Sequence, residues 1–267
     1  MERRSFIRNI SLASAFVAGS NFTGFGVSPT PFTLKLSDLH VHRSDQLSIQ
    51  QIVEIGKSKN IRFGVVDHPI LWSLKNDHDL KNYIEEMRKY PVYIGLQPTY
   101  RGWNKNYSKE LIGQLDYILM DAQIFPDPNG RDWQIWQFDT YIDDTEEFMK
   151  RYMDYTLKIL HEEPLNVFGW PLFLPVCIAR DYYSIWTEER MDQIIKAAKS
   201  RDIAIEINDM AHTPHEAFIL KAKKAGLKFT FGSDSRNWIA GRLSYCKEVA
   251  ETCKLTDDDI WLPSRKI

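Results

Sequence analysis

The sequence predicts an α/β fold, a distorted (β/α)7 TIM-like barrel. Three observations carry that expectation. From residue 33 onward, short runs rich in β-branched and aromatic residues alternate with longer segments of three-to-four periodicity, seven times over. Strict β–α alternation makes neighbouring strands parallel, and strands this short and evenly spaced favour a closed barrel over an open sheet. The residues with metal-ligating chemistry fall at strand ends, where barrels of this kind keep their active sites.

The elements follow in order. Residues 33–39 read as the first strand and 49–58 as a helix, with Ser48 and Gln51 as a weak capping box. Strand 62–66 leads to helix 79–90, strand 92–96 to a short helix 108–114, and strand 117–120 to helix 145–161. Asp144 and Glu147 mark the start of that last helix as a capping box. Strand 166–168 precedes helix 188–200, strand 204–207 precedes helix 214–225, and strand 228–231 precedes helix 239–252. Thr213-Pro214-His215-Glu216 reads as a capping box with proline in the first turn, and Gly226 as the glycine just past a helix end.

A chain of 267 residues, 43% of them hydrophobic, can bury one sizeable core. The formal net charge of -2 supplies no basic field for a nucleic-acid backbone, so none is expected as partner. Cys177, Cys246 and Cys253 are too few and too scattered for a disulfide framework or a zinc knuckle. At the N-terminus, Arg3 and Arg4 precede Ser5-Phe6-Ile7-Arg8 and a mildly apolar run. That pattern resembles a twin-arginine export signal. Residues 1–28 are therefore expected to be signal and linker, with cleavage within 18–28, and 29–267 the barrel domain. The expected location is the periplasm or another exported compartment. No later apolar run reaches the ~20 residues of a membrane span.

The chemistry gathers at four strand ends. Asp38-Leu39-His40-Val41-His42 closes the first strand, and alternate residues of an extended chain point the same way, so His40 and His42 can grip one ion. Asp67-His68 ends the second strand, Glu206 lies in the sixth, and Gly232-Ser233-Asp234 ends the seventh. His40, His42 and Asp234 form a divalent-metal set, with His68 and Gln97 as further candidate ligands. The ion expected is zinc, manganese or iron, in one site. Asp67, Glu206 and Arg236 are candidate catalytic groups; Gln123, Trp170 and Arg236 are candidate substrate contacts.

The pieces Asp38-Leu39-His40-Val41-His42, Val65-Val66-Asp67-His68, Ile205-Glu206-Ile207-Asn208 and Gly232-Ser233-Asp234 together resemble the PHP family, the polymerase and histidinol phosphatase domain, over nearly all of residues 33–236. The resemblance implies a distorted seven-stranded barrel, two or three divalent metals and phosphoester hydrolysis. Where the family carries a bridging Glu, this chain has Gln97. Family histidines are replaced by Gln123, Trp170 and Arg236, and a further one falls near Ser48. Only the site of His40, His42 and Asp234 keeps its ligands, with Gln97 as a neutral fourth. Replacing a bridging carboxylate by an amide removes the anionic charge that lets cations sit side by side. At most one metal is therefore expected, in an exported PHP-like, phosphoesterase-type hydrolase.

Two other readings share these residues. Amidohydrolases also open with H-x-H and close on a metal-binding Asp, but use eight strands. A degenerate barrel could instead serve as a catalytically inactive ligand-binding protein. The long segment 121–144 carries Phe125, Trp133, Trp136, Phe138 and Tyr141, which either wall a substrate or pack a lid onto the barrel. Arg236 either holds an anionic group or pairs with a neighbouring carboxylate such as Asp67 or Asp121. His212 and His215 are either bases or surface residues near a helix start. The partner expected is a small molecule, anionic or sugar-containing; the oligomeric state stays open. If Arg3 and Arg4 are the export signal, replacing both with Lys should leave the protein in the cytoplasm on cell fractionation.

Overall fold

A computed structural model describes residues 34–69 and 73–265. The export-signal segment and the first residue of the expected first strand lie outside them. In chain order the elements are β1 (Ser37–Val41), α1 (Ile49–Lys59), β2 (Arg62–Asp67), α2 (Asp77–Met87), β3 (Tyr93–Leu96), α3 (Lys109–Ile112) and β4 (Tyr117–Met120). They continue with β5 (Ile124–Pro126), β6 (Asp132–Gln134), α4 (Thr145–Glu162), β7 (Val167–Phe168), α5 (Tyr182–Ile185) and α6 (Glu188–Ser200). The last are β8 (Ala204–Asn208), α7 (Glu216–Lys224), β9 (Phe229–Gly232) and α8 (Ser244–Thr252).

Seven strands form one parallel sheet in the order β1-β2-β3-β4-β7-β8-β9, and β1 comes back beside β9 through a parallel bridge between Val41 and Ser235. A backbone bond of 3.0 Å from His42 N to Ser235 O closes the ring. This is the (β/α)7 TIM-like barrel that the alternation predicts. Strands β1, β3, β4, β8 and β9 are buried at every residue, as barrel strands wrapped in helices must be. Among the described residues, no helix is long and apolar enough to cross a membrane.

Several boundaries differ from the sequence reading, each for a local reason. The first strand runs on to Val41, so His40 lies inside it rather than after it, and its pairing with β2 slips between Asp38 and Val41. The helix expected from 214 begins at Glu216, because Thr213 is held in a two-way backbone bridge with Asn208. No capping box forms there. The helix expected from 239 begins at Ser244, because Gly241 and Leu243 are both left-handed, with φ of 70° and 49°. The helix expected at 108–114 shrinks to one turn. The box expected at Ser48 forms, whereas Asp144 caps its helix without a reciprocal box. Ser48 and Gln51 make a reciprocal capping box; Asp144 caps α4 by accepting from the Glu146 and Glu147 amides, while the Glu147 side chain goes to Arg151.

The interior is filled on the side away from the site by Tyr117, with Leu39, Tyr93, Leu119 and Val167 around it and Trp261 and Leu262 packed against that cluster. The Tyr117 hydroxyl donates to the Leu39 carbonyl at 2.5 Å, a tie across the barrel. Gly95 on β3 makes room for the ring: a Cβ there would lie 2.5 Å from Tyr117 Cζ. Gly95→Ala should therefore destabilise the protein by about 1–3 kcal/mol, the usual cost of overpacking a core. Urea unfolding checks this; a variant as stable as the parent would show that the Tyr117 ring is free to move.

Candidate metal centre

The site begins with a clamp. Asp38 is fully buried on β1 and reaches across the barrel seam; its Oδ1 accepts from Ser233 N and its Oδ2 from Gly241 N, both at 2.9 Å. Burial pushes its carboxyl up to about 6, against the pull of the bonds it accepts. The clamp fixes the loop after β9 against β1. In that loop Asp234 takes a left-handed backbone, φ 48°, a conformation that Asp adopts more readily than most non-glycine residues.

Asp234 thereby meets the histidines of β1. Its Oδ1 lies 3.4 Å from His40 Nε2 and 3.2 Å from His42 Nε2, and all three side chains are buried. Neither nitrogen makes a hydrogen bond of acceptable geometry, although both are shielded from solvent. Ligand atoms at tetrahedral positions about one divalent ion, with bonds of ~2.0–2.1 Å, stand about 3.3 Å apart. Two orphaned nitrogens and a carboxylate oxygen at that spacing are a chemically fitting donor set, and the group could hold a divalent ion.

The first ligand has a second carboxylate behind it. His40 Nδ1 is 2.6 Å from Glu206 Oε1, and Glu206 Oε2 accepts from Trp170 N at 2.7 Å. A carboxylate on the far ring nitrogen sets the tautomer and aims Nε2 at the site. Gly232 leaves the room for it, since a Cβ there would stand on the Glu206 oxygen. Trp170 Nε1 donates to Asp234 Oδ2 at 2.9 Å, and Arg236 Nη1 to Asp234 Oδ1 at 2.7 Å. Burial alone would lower the His40 pKa; the Asp234 and Glu206 carboxylates outweigh it and hold the ring protonated up to about 9. His42 goes the other way, to about 3, because burial dominates. Burial opposes ionisation of Asp234, but His40, His42 and Arg236 prevail and keep its carboxyl well below the usual range.

Above the triad opens a cleft of about 390 Å³. Gln97, Gln123, Trp170, Asp234, Arg236 and His68 line it, as do Thr99, Trp136 and Met210. His68 stacks on the His42 ring and its Nδ1 meets the Gln97 carbonyl at 3.1 Å, so it stands beside the triad rather than in it. Burial lowers its pKa to about 4. Asp67 faces Arg43 at 3.7 Å and accepts from Ser73 Oγ, away from the cleft lining. Both Glu206 oxygens are occupied, which suits an orienting group better than a base. Arg236 pairs with Asp234, not with Asp67 or Asp121.

The lid aromatics divide between the two roles the sequence leaves open. Phe125 stacks on Tyr152 and packs on Phe148 and Trp133, anchoring the β5–β6 hairpin to α4, whereas Trp136 reaches the cleft. Phe138 and Tyr141 are exposed. His212 stacks on Tyr245 and His215 lies against Tyr182, so neither joins the site. Sequence reasoning missed Asp38 as the clamp and Asp121 behind Gln97; both stand within two residues of ones it singled out, and an acid inside or just after an apolar strand was the available signal. No family model matches the chain, and no curated protein does. Among solved structures it is similar to a chain of an archaeal ribonuclease P determined by cryo-EM with mature tRNA. The match is 14% identical, covers 86% of this chain and 97% of that one, and has a TM-score of 0.37, too low to carry an argument.

Metal uptake must displace the His40 proton, because a ligand nitrogen is deprotonated. Zinc affinity should rise about tenfold per pH unit from roughly 6.5 to 8.5, below the raised His40 value, and level off above it. Competition titration against a chelating dye reads this directly. A pH-independent affinity would mean that His40 is already neutral.

Proposed function

We propose that the chain is an exported, PHP-like hydrolase with a single divalent-metal site, acting on a small phosphoester. The observation that carries this reading is the pair of orphaned histidine nitrogens converging on Asp234 Oδ1 at the floor of an open cleft. A divalent ion held there would supply Lewis-acid polarisation of a phosphoryl oxygen and a nucleophilic water at neutral pH.

The chain's own residues do the rest. Glu206 fixes His40, and Asp38 fixes the loop that brings Asp234 to it. Arg236 is half exposed at the cleft, and a guanidinium there can hold an anionic group with the donors that Asp234 does not occupy. Trp136, Trp170 and Met210 give the cleft apolar walls, which suit a ring or sugar beside the anion.

One observation favours a second reading, a ligand-binding barrel without turnover. Arg236 already neutralises Asp234 at 2.7 Å, and a cation there opposes metal uptake at the same oxygen. The two readings separate experimentally. Elemental analysis of protein loaded with zinc, manganese or iron should find one ion per chain, lost in His42→Ala. Release of phosphate from a panel of phosphomonoesters and sugar phosphates should follow the metal. Arg236→Ala should raise KM about tenfold or more while the metal content stays unchanged. Two or three ions per chain contradict the single-site argument. Saturable, Arg236-dependent phosphate binding with no turnover replaces the hydrolase by the ligand-binding protein. An Arg236→Ala variant altered only in melting temperature makes the arginine structural.

A further inference from the structure

Behind Gln97 lies a carboxylate that neither the sequence motifs nor the proposed reaction uses. Asp121, the residue after β4, is fully buried. Its Oδ2 accepts from Gln97 Nε2 at 2.8 Å, and its Oδ1 from Gln123 N at 3.1 Å. No Lys or Arg pairs with it among the described residues. A buried acid with neutral partners alone carries a desolvation cost that these two hydrogen bonds offset only in part.

The effect falls on the amide. A glutamine side chain has one donor end and one acceptor end. Because Nε2 is committed to Asp121, the orientation of Gln97 is fixed and Oε1 becomes its free end. That Oε1 is buried, in a residue only 3% exposed, and has no hydrogen-bond partner. Gln97 lines the same cleft as Asp234, Trp170 and Arg236, so this amide belongs to the same corner as the triad. His40 shows the same construction: Glu206 takes one end of the ring and leaves Nε2 orphaned toward Asp234.

We infer that Asp121 is a positioning residue for the metal centre. By accepting from Gln97 Nε2, it presents Gln97 Oε1 as the fourth oxygen-or-nitrogen donor beside His40, His42 and Asp234. The inference rests on the single-metal reading and deepens it. Asp121 supplies through the amide part of the negative charge that a carboxylate in the position of Gln97 would bring directly. A carboxylate hydrogen-bonded to an amide N–H draws electron density toward the carbonyl oxygen, which strengthens that oxygen as a ligand for a hard cation.

The test measures zinc affinity of the whole chain by chelator competition, together with the visible spectrum of the cobalt-loaded protein. Gln97→Ala and Asp121→Ala should each weaken zinc binding about 10–100-fold, the size expected when a ligand or its supporting partner is removed. The double variant should bind no more weakly than Gln97→Ala alone, since Asp121 acts only through the amide. The isosteric Asp121→Asn guards against a folding defect; it should bind more weakly than the parent, and its cobalt bands should shift. If Asp121→Asn and Asp121→Ala bind zinc and colour with cobalt as the parent does, Asp121 is merely a packing residue and the inference is overturned. If they weaken binding equally with and without Gln97, the action does not run through the amide and the inference again fails. If the parent chain binds no zinc, the metal reading falls and this inference falls with it; parental binding with unaltered variants removes this inference alone.

Discussion

A buried carboxylate is costly unless hydrogen bonds or protonation offset its lost hydration, and the barrel mouth is organised around that constraint at Glu206. The residue is inaccessible to solvent on β8. One oxygen takes the His40 ring from β1 and the other takes the Trp170 amide after β7. Its position also demands the bare backbone of Gly232 on β9. One side chain thus sets four strand ends relative to one another. The orientation of His40, the path of the chain at Trp170 and the course of β9 toward Asp234 all follow from satisfying it.

The second theme is charge. Asp38, Asp121, Glu206 and Asp234 are buried within one barrel mouth, while His40 and Arg236 are the nearby groups that hold positive charge against Asp234. Burial raises Asp38 to about 6 and Asp121 to about 7, so the excess of acid is partly relieved by protonation. A divalent cation placed on the two orphaned nitrogens would relieve it further. The Arg236–Asp234 pair works in the opposite direction. Competition between a fixed guanidinium and an ion for one carboxylate oxygen decides how strongly this centre holds metal.

The lid shows why composition cannot assign aromatic residues to roles. Phe125 and Trp133 sit on the two strands of a short hairpin and turn toward α4, where Phe148, Tyr152 and Tyr155 receive Phe125. Trp136, a few residues on, turns to the cleft instead. All share the same chemistry; the strand pairing of the hairpin and the position of α4 choose between packing and lining.

Much of this protein is determined by its sequence alone. Alternating strand and helix patterns dictate parallel strands, since each helix carries the chain back along the sheet before the next strand begins. Spacing also makes His40 and His42 a matched pair, because an extended chain repeats its direction every second residue, and strand-end placement brings Asp234 to the same mouth. Local signals at Ser48, Asp144 and Gly226 mark helix ends for reasons confined to a few residues. Long-range partners are another matter. Nothing local in Thr213-Pro214 tells that Asn208 will bridge to Thr213 and delay α7, nor that Asp38 will reach Ser233 and Gly241 some two hundred residues away. Arg236 offers no local clue that it will choose Asp234, and Gln97 none that Asp121 will turn its amide. Those choices depend on which groups the closed barrel buries side by side. Once water is excluded, every buried donor and acceptor must find a partner among the few atoms within reach, and only the tertiary structure says which those are.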